Sequence, residues 1–335
     1  MKILLSNFFI LALSFLVVSC SSPTGKKSES QEKSANMTTI PISDFNADSA
    51  YEFIKKQLSF GPRVMNTSAH EKCGEYLTNK LQGYCKNVSL QKGTVKAFDG
   101  TPLRFQNIIA SWMPDSNNRI LLCAHWDSRP FADHDPDPGN RRKPIDGAND
   151  GASGVGILLE IARQINLEQP AIGIDIILFD AEDYGPPQDQ KQDMVSNNSW
   201  GLGSQYWSAN PHRTRYFARY GILLDMVGAS GATFLIEDIS SRYANDIIQL
   251  VWRTANRLGY SKYFILENGA QINDDHVPIN EITNIPTIDI IHLDKKSKTG
   301  FFPYWHTTMD NLTVIDKSTV KAVGQTLITV IYEEK

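Results

Sequence analysis

Gly173-Ile174-Asp175-Ile176-Ile177-Leu178-Phe179-Asp180-Ala181-Glu182-Asp183 is a nearly unbroken apolar run that ends in three carboxylates within four residues. A short apolar run of this kind reads as a strand buried on both faces of a sheet. Three other stretches have the same form. Residues 119–124 run into His125-Trp126-Asp127, residues 221–224 run into Asp225, and residues 286–291 carry Asp289 and lead into His292. Helical spacing separates them, at residues 154–165, 244–258 and 316–332. Upstream, Ala50, Phe53, Ile54 and Leu58 mark a helix over 48–58, with Ser43 or Asn46 as its cap. Tyr76, Leu77, Leu81 and Tyr84 form one stripe of a second helix over 67–84. Residues 87–95 and 104–112 read as strands joined through the turn Asp99-Gly100. This alternation predicts a single α/β domain, doubly wound, with a mixed and mostly parallel sheet flanked by helices. Ligands on such sheets bind at the carboxyl ends of the strands. Here those ends carry ionisable residues on all four runs.

Composition narrows the function classes. The 335 residues include 33 Lys+Arg against 37 Asp+Glu, a formal charge of -4, so no basic footprint for nucleic acid exists. Four Cys in this length exclude a disulfide-built miniprotein, and the lack of a Cys-x-x-Cys pair excludes thiolate zinc knuckles. The length allows one or two domains, but no repeat or second tether divides the chain.

The N-terminus is a separate matter. Lys2 precedes an apolar run over residues 3–18 that closes on Val17-Val18-Ser19-Cys20, the pattern of an export signal. Two readings fit: an ordinary signal peptide that contains a Cys, or a bacterial lipobox in which Cys20 is lipidated. The second is favoured, because Ser21, Ser22 and a polar stretch to Asn36 suit a flexible tether. The expected organisation is a signal over 1–19, a tether over 20–44 and a catalytic domain over 45–335. The expected location is outside the cytoplasm, lipid-anchored at Cys20, periplasm-facing or on the outer membrane of a Gram-negative bacterium.

Two further segments add possible ligands. Gly147-Ala148-Asn149-Asp150-Gly151-Ala152-Ser153-Gly154 is rich in glycine and precedes a helix, yet it lacks both the dinucleotide and the phosphate-loop fingerprints. Asp150 is then either a helix cap or a metal ligand. Near the C-terminus, Tyr304-Trp305-His306-Thr307-Thr308-Met309-Asp310 places a His among aromatics. No His-Glu-x-x-His and no Gly-x-Ser-x-Gly occurs, which excludes a zincin and argues against a serine hydrolase.

Seven motifs stand in a telling order: Phe60-Gly61-Pro62-Arg63, His125-x-Asp127-Ser128, Gly147-Ala148-Asn149-Asp150, Phe179-Asp180-Ala181-Glu182-Asp183, Leu224-Asp225-Met226-Val227-Gly228, Asp274-Asp275-His276-x-Pro278 and Trp305-His306-Thr307. Together, over residues 45 to 335, they resemble the zinc exopeptidase superfamily, which contains the M28 aminopeptidases and the animal-type glutaminyl cyclases. The aminopeptidase resemblance implies two zincs on His125, Asp150, Asp183, Asp225 and His306. The cyclase resemblance implies one zinc on Asp150, Asp183 and His306, with His125-x-Asp127 as a vestigial half-site. Trp before His306, the doubled Asp274-Asp275 and a second tryptophan at Trp200 lean toward the cyclases. That branch implies Glu182 as general base and acid, and Asp225 and Asp274 as a carboxylate pair sharing a proton. It also implies Trp200, Trp305, Asn273 and Asp289 around the substrate, a peptide or protein with an N-terminal Gln, and a monomer. The two-metal aminopeptidase and a non-catalytic surface binding module remain as alternatives.

Three departures from the family pattern stand out. The second acid of its usual Glu-Glu pair is Asp183 here, one methylene shorter. Asp289 occupies the position of a pocket His, with His292 three residues on. Cys123 matches one half of the animal disulfide and finds no partner after Asp150. Cys73 and Cys85 read either as a disulfide or, more simply, as buried thiols.

Overall fold

The computed structural model describes residues 44–190 and 199–335, which fall in one compact unit. The expected export signal, Cys20 and nearly all of the expected tether lie outside the described residues, and among the described residues no helix is long and apolar enough to cross a membrane. The elements run α1 (Ala47–Leu58), α2 (Ser68–Tyr84), β1 (Val88–Lys96), β2 (Pro102–Trp112), β3 (Arg119–His125), α3 (Ala152–Leu167), β4 (Gly173–Phe179), α4 (Leu202–Ala209), β5 (Gly221–Asp225), β6 (Phe234–Ile236), α5 (Asp238–Arg257), β7 (Phe264–Asn268), α6 (His276–Pro278), β8 (Thr287–Ile291) and α7 (Lys317–Glu333).

Six strands form one sheet in the order β1-β2-β4-β3-β5-β8. The four central runs read from the sequence are its parallel part, β4-β3-β5-β8, and the β1–β2 hairpin adds to one edge in antiparallel register. β3 has β4 on one side and β5 on the other, so the chain reverses its direction of winding at the end of β3. A crevice opens at such a switch point, beyond the carboxyl ends of the strands. His125 is the last residue of β3.

Pleating sorts the strand residues between two cores. Ile120, Leu122 and Ala124 face the large core shared with α1, α2, α3, α5 and α7, while Leu121 and Cys123 face a smaller one with Trp207, Phe179 and Ile279. The covering is therefore unequal: long helices on one face, and α4 with the turn after α6 on the other. Gly154 brings α3 onto the sheet, since a Cβ there would stand 2.4 Å from the Leu224 carbonyl oxygen.

Asn46, not Ser43, caps α1, its side chain accepting from the Ser49 N–H, and Thr67 caps α2 through the His70 N–H. Helix α5 begins six residues before the expected start. Its segment Asp238-Ile239-Ser240-Ser241-Arg242-Tyr243 is too polar to show the apolar stripe, and Glu237 caps it by accepting from the Ile239 and Ser240 N–H groups. A kink at Ala244 marks the point at which the stripe becomes visible. The short elements α4, β6, β7 and α6 left no periodic signal. Asp175, inside the opening run, is fully buried against Arg119 Nε at 3.0 Å and the Tyr216 hydroxyl at 2.7 Å. Cys73, Cys85 and Cys123 are all free and buried, which settles the alternative in favour of thiols.

Candidate metal and acid–base site

The carboxyl ends of β4, β5 and β8 and the loops before α3, before α6 and around residues 301–306 meet around a cavity of about 260 Å³. Asp150, Glu182, Asp183, Trp200, Asp225, Asn273, Asp274, Trp305 and His306 all line it. Every residue expected at the site is thus brought to one place except Asp289. That side chain is 1% exposed, mid-strand in β8, with Oδ2 4.0 Å from His276 Nδ1, and it does not line the cavity. Asp289, expected beside the substrate, thus stands apart from the cavity that the other expected residues line. Ile291, two residues on and on the same face of β8, takes the wall instead, which leaves Asp289 deeper along the strand. His292, just past the strand, does not line the cavity either; burial lowers its pKa to about 4.

Two buried carboxylates build the backbone of the site. Asp127 accepts from the Glu182 N–H at 3.1 Å and the Asp183 N–H at 3.2 Å. Asp310 does the same for the Asn149 and Asp150 N–H groups, at 2.8 and 3.1 Å. Each holds two consecutive peptide groups and so fixes where their side chains point. Arg63, fully buried, binds the Trp126 and Gly147 carbonyls at 3.0 and 2.8 Å and ties the glycine-rich loop to β3. Asp180 anchors the other end of the acidic turn: its Oδ1 lies 2.8 Å from His70 Nε2 and its Oδ2 accepts from the Gln106 N–H at 2.7 Å. Ala181, Met226 and His306 adopt φ of 57°, 50° and 54°, a left-handed backbone that non-glycine residues adopt chiefly where surrounding contacts impose it.

Among the described residues three groups of side chains could hold a metal ion; two of them share Asp150, and the third, Asp133, His134 and His306, shares His306 with one of these. In one of the two that share Asp150, His306 Nε2 lies 3.3 Å from Asp183 Oδ1 and 3.6 Å from Asp150 Oδ2. Asp150 Oδ2 and Asp183 Oδ2 are buried there with no hydrogen-bond partner among the described residues. Unpaired carboxylate oxygens are costly to bury without a cation, so this donor set fits a zinc ion. In the other group, His125 Nε2 lies 3.1 Å from Asp150 Oδ1 and 3.2 Å from Asp225 Oδ1, with Asp127 Oδ1 3.6 Å from Nδ1. Burial works to lower the His125 pKa, but the three carboxylates outweigh it and hold it well above the ordinary value.

Around the first group stands a layer that sequence reasoning missed. Arg129, 1% exposed, binds both oxygens of Asp133 at 2.8 and 2.9 Å and reaches Asp183 Oδ1 at 3.3 Å. Asp133 Oδ1 in turn faces His306 Nδ1 at 3.4 Å, the carboxylate–imidazole arrangement that orients metal-binding histidines. The guanidinium also lies 4.7 Å from the Trp200 ring. The only sequence signal for it was its place two residues after Asp127. Trp305 stacks on His306 with centroids 3.7 Å apart, and Trp200 lies nearly parallel to the same ring at 6.2 Å. Gly185 permits this, because a Cβ there would meet Trp200 at 2.1 Å.

The acids differ in charge state. Burial, reinforced by Asp183, Asp274 and Asp275 and opposed by His125, pushes Glu182 well above the usual carboxylate range. Asp225 is pushed up to about 7, by burial first, with Asp150 and Asp274 adding to it against the His125 bond. The near partner of Asp225 Oδ1 is therefore His125, and Asp274 acts on it as a neighbouring charge across the cavity wall. Burial raises Asp274 as well.

Known proteins are similar to this chain in sequence and fold. A glutaminyl cyclase of Bacteroides thetaiotaomicron, solved with N-acetylhistamine bound, is 54% identical with a TM-score of 0.86, covering 88% of this chain and all of its own. A Zn-dependent exopeptidase of Parabacteroides distasonis is also 54% identical, with a TM-score of 0.85 over 87% of this chain and 99% of its own. The glutaminyl-peptide cyclotransferase of Drosophila melanogaster is 25% identical over 287 residues, 77% of this chain and 73% of that protein. Residues 107–331, which carry the sheet from β2 onward and every side chain lining the cavity, match the description Peptidase family M28, and the chain belongs to that family.

Proposed function

We propose that the protein cyclises the N-terminal glutamine of peptides and proteins to pyroglutamate, with release of ammonia. The observation that carries this reading is the shape of the cavity. Its 260 Å³ lie between two indoles, with Glu182 beside the donor group of Asp150, Asp183 and His306. That volume is below the range of about 300–1,000 Å³ usual for drug-sized ligands and suits a single residue. The homologous glutaminyl cyclases support the same activity.

In this reading Asp150, Asp183 and His306 would hold one zinc ion per chain, which would supply Lewis acidity toward the γ-carboxamide. The α-amine of the substrate attacks its own side-chain carbonyl carbon, and holding the two together supplies much of the rate. A C–N bond forms to close the lactam and the amide C–N bond breaks. Glu182 takes the proton from the attacking nitrogen and returns it to the departing one, and its raised pKa suits both halves of that transfer. Asp225 and Asp274 face the leaving nitrogen, with Asn273 at the rim. Trp200 and Trp305 exclude the water that would hydrolyse the amide to Glu. Asp225 meets His125, so the carboxylate pair works with an imidazole beneath it and not in isolation.

The donor group of His125, Asp150 and Asp225 favours one second reading, a two-metal aminopeptidase. Incubation with a Gln-initiated peptide and with an aminoacyl chromogenic substrate, with metal analysis alongside, separates the two. Pyroglutamate and ammonia with one zinc per chain support the cyclase; release of a free amino acid with two zincs overturns it. We further propose a signal over 1–19, lipidation at Cys20, a tether over 20–44 and a monomeric domain over 45–335, exported and anchored to the periplasmic or outer-membrane face. Substituting Cys20→Ala is expected to move the protein from the membrane to the soluble fraction.

A further inference from the structure

Cyclisation fixes the first residue of the substrate and says nothing of the second. The α-amine and the γ-carboxamide both turn toward Glu182 and the donor group, so only the backbone carbonyl can lead the peptide out of the cavity. A second hollow of about 410 Å³ adjoins that exit and shares Trp200, Asn273 and Asp274 with the inner cavity. It is lined by Ile239 and by the segment after Asp274-Asp275, where Val277, Pro278 and Ile282 present apolar surface. Ile282 is 50% exposed, so its side chain is open to a neighbouring chain.

One charge is set into this surface. Glu281 is exposed, lines the hollow and makes no ion pair or hydrogen bond among the described residues. Arg242, whose partner Gln271 also lines the hollow, is already engaged: it lies 3.2 Å from Asp238 Oδ2 and donates to Gln271 Oε1 at 3.1 Å. Asp274, at the junction, adds carboxyl character and no cation. We propose, on the basis of the cyclase reading, that this hollow receives the residues after the N-terminal glutamine and that Glu281 gives it a preference for a basic side chain there. The aliphatic stem of Lys or Arg lies along Val277, Pro278 and Ile282, and its charged end reaches Glu281.

The test compares the amides of Gln-Lys-Ala, Gln-Ala-Ala and Gln-Glu-Ala, with glutamine amide as a probe that has nothing to place in the hollow. Ammonia release is expected to rank Lys above Ala above Glu in kcat/KM, by about two- to fivefold per step at low salt, as for an exposed ion pair. The spread narrows as salt rises. In Glu281→Lys the ranking reverses, while glutamine amide is cyclised at the wild-type rate. A flat series, or a ranking that Glu281→Lys leaves unchanged, overturns the proposal while glutamine amide is still turned over. If glutamine amide itself is not cyclised, the cyclase reading fails and this inference fails with it.

Discussion

The two donor groups that share Asp150 look alike in composition and differ in how their atoms are spent. On the His125 side, Nε2 is within 3.2 Å of both Asp150 and Asp225, and the imidazole sits closed among carboxylates. On the His306 side the contacts are longer, Asp150 Oδ2 and Asp183 Oδ2 have no hydrogen-bond partner among the described residues, and Arg129, Asp133 and two indoles support the group from outside. Among the described residues, one half leaves the imidazole nitrogen His125 Nδ1 unpaired; the other leaves two carboxylate oxygens, the kind of atom a cation would take. The difference shows how a scaffold with two possible metal positions can be weighted toward one without losing a single ligand-type residue.

The largest effect that tests this weighting is at the acid–base residue. Glu182→Gln is expected to lower kcat/KM for Gln peptides by about 10²- to 10⁴-fold with zinc content unchanged. Loss of zinc in that variant would mean that Glu182 serves the metal, and the division of roles would be wrong. Next come the two histidines. His306→Ala should lose both bound zinc and cyclisation, whereas His125→Ala should keep one zinc per chain by metal analysis; equal loss from both would erase the distinction between the halves. Asp133→Asn probes the outer support of the metal-holding half. It should weaken zinc binding by about 10- to 100-fold in a chelator competition, and leave the far-ultraviolet circular dichroism spectrum as it was. The smallest effect lies outside both halves and serves as their control. His212 accepts a hydrogen bond from Trp207 Nε1 at 3.1 Å, and burial lowers its pKa to about 4, against about 6.5 unfolded. The unfolded state therefore binds its proton first. Stability is full above pH 6.5 and falls as pH drops toward 4, and His212→Gln should flatten that part of the thermal-melting profile without changing zinc content.

Much of the fold was legible because the parallel strands are buried on both faces. The run over β4 stays apolar except for Asp175, which Arg119 and Tyr216 satisfy, so the strand signal survives a buried charge. The segment around α5 was read short because its first turns are polar and held by the Glu237 cap, which no apolar period reveals. Of the site, the acidic turn after β4 and the aromatic-flanked His306 could be found from residue type and position. Arg129 and Asp310 could not, because their roles depend on distant segments: Arg129 reaches Asp183, and Asp310 holds the peptide groups of Asn149 and Asp150. Asp289 shows the converse, a residue placed at the site by motif order that its depth along β8 keeps out of the cavity.

By itself, the sequence determined the parallel α/β sheet and the set of residues that can carry metal and proton chemistry, since both come from local pattern: apolar runs, helical periods, and ionisable residues at strand ends. Only the tertiary structure decided which half of the site leaves carboxylate oxygens unpaired, which indoles face His306, and which acid is kept from the cavity. Those depend on distances between segments far apart in the chain, and a carboxylate's charge and availability are set by the groups packed against it, not by its neighbours in sequence.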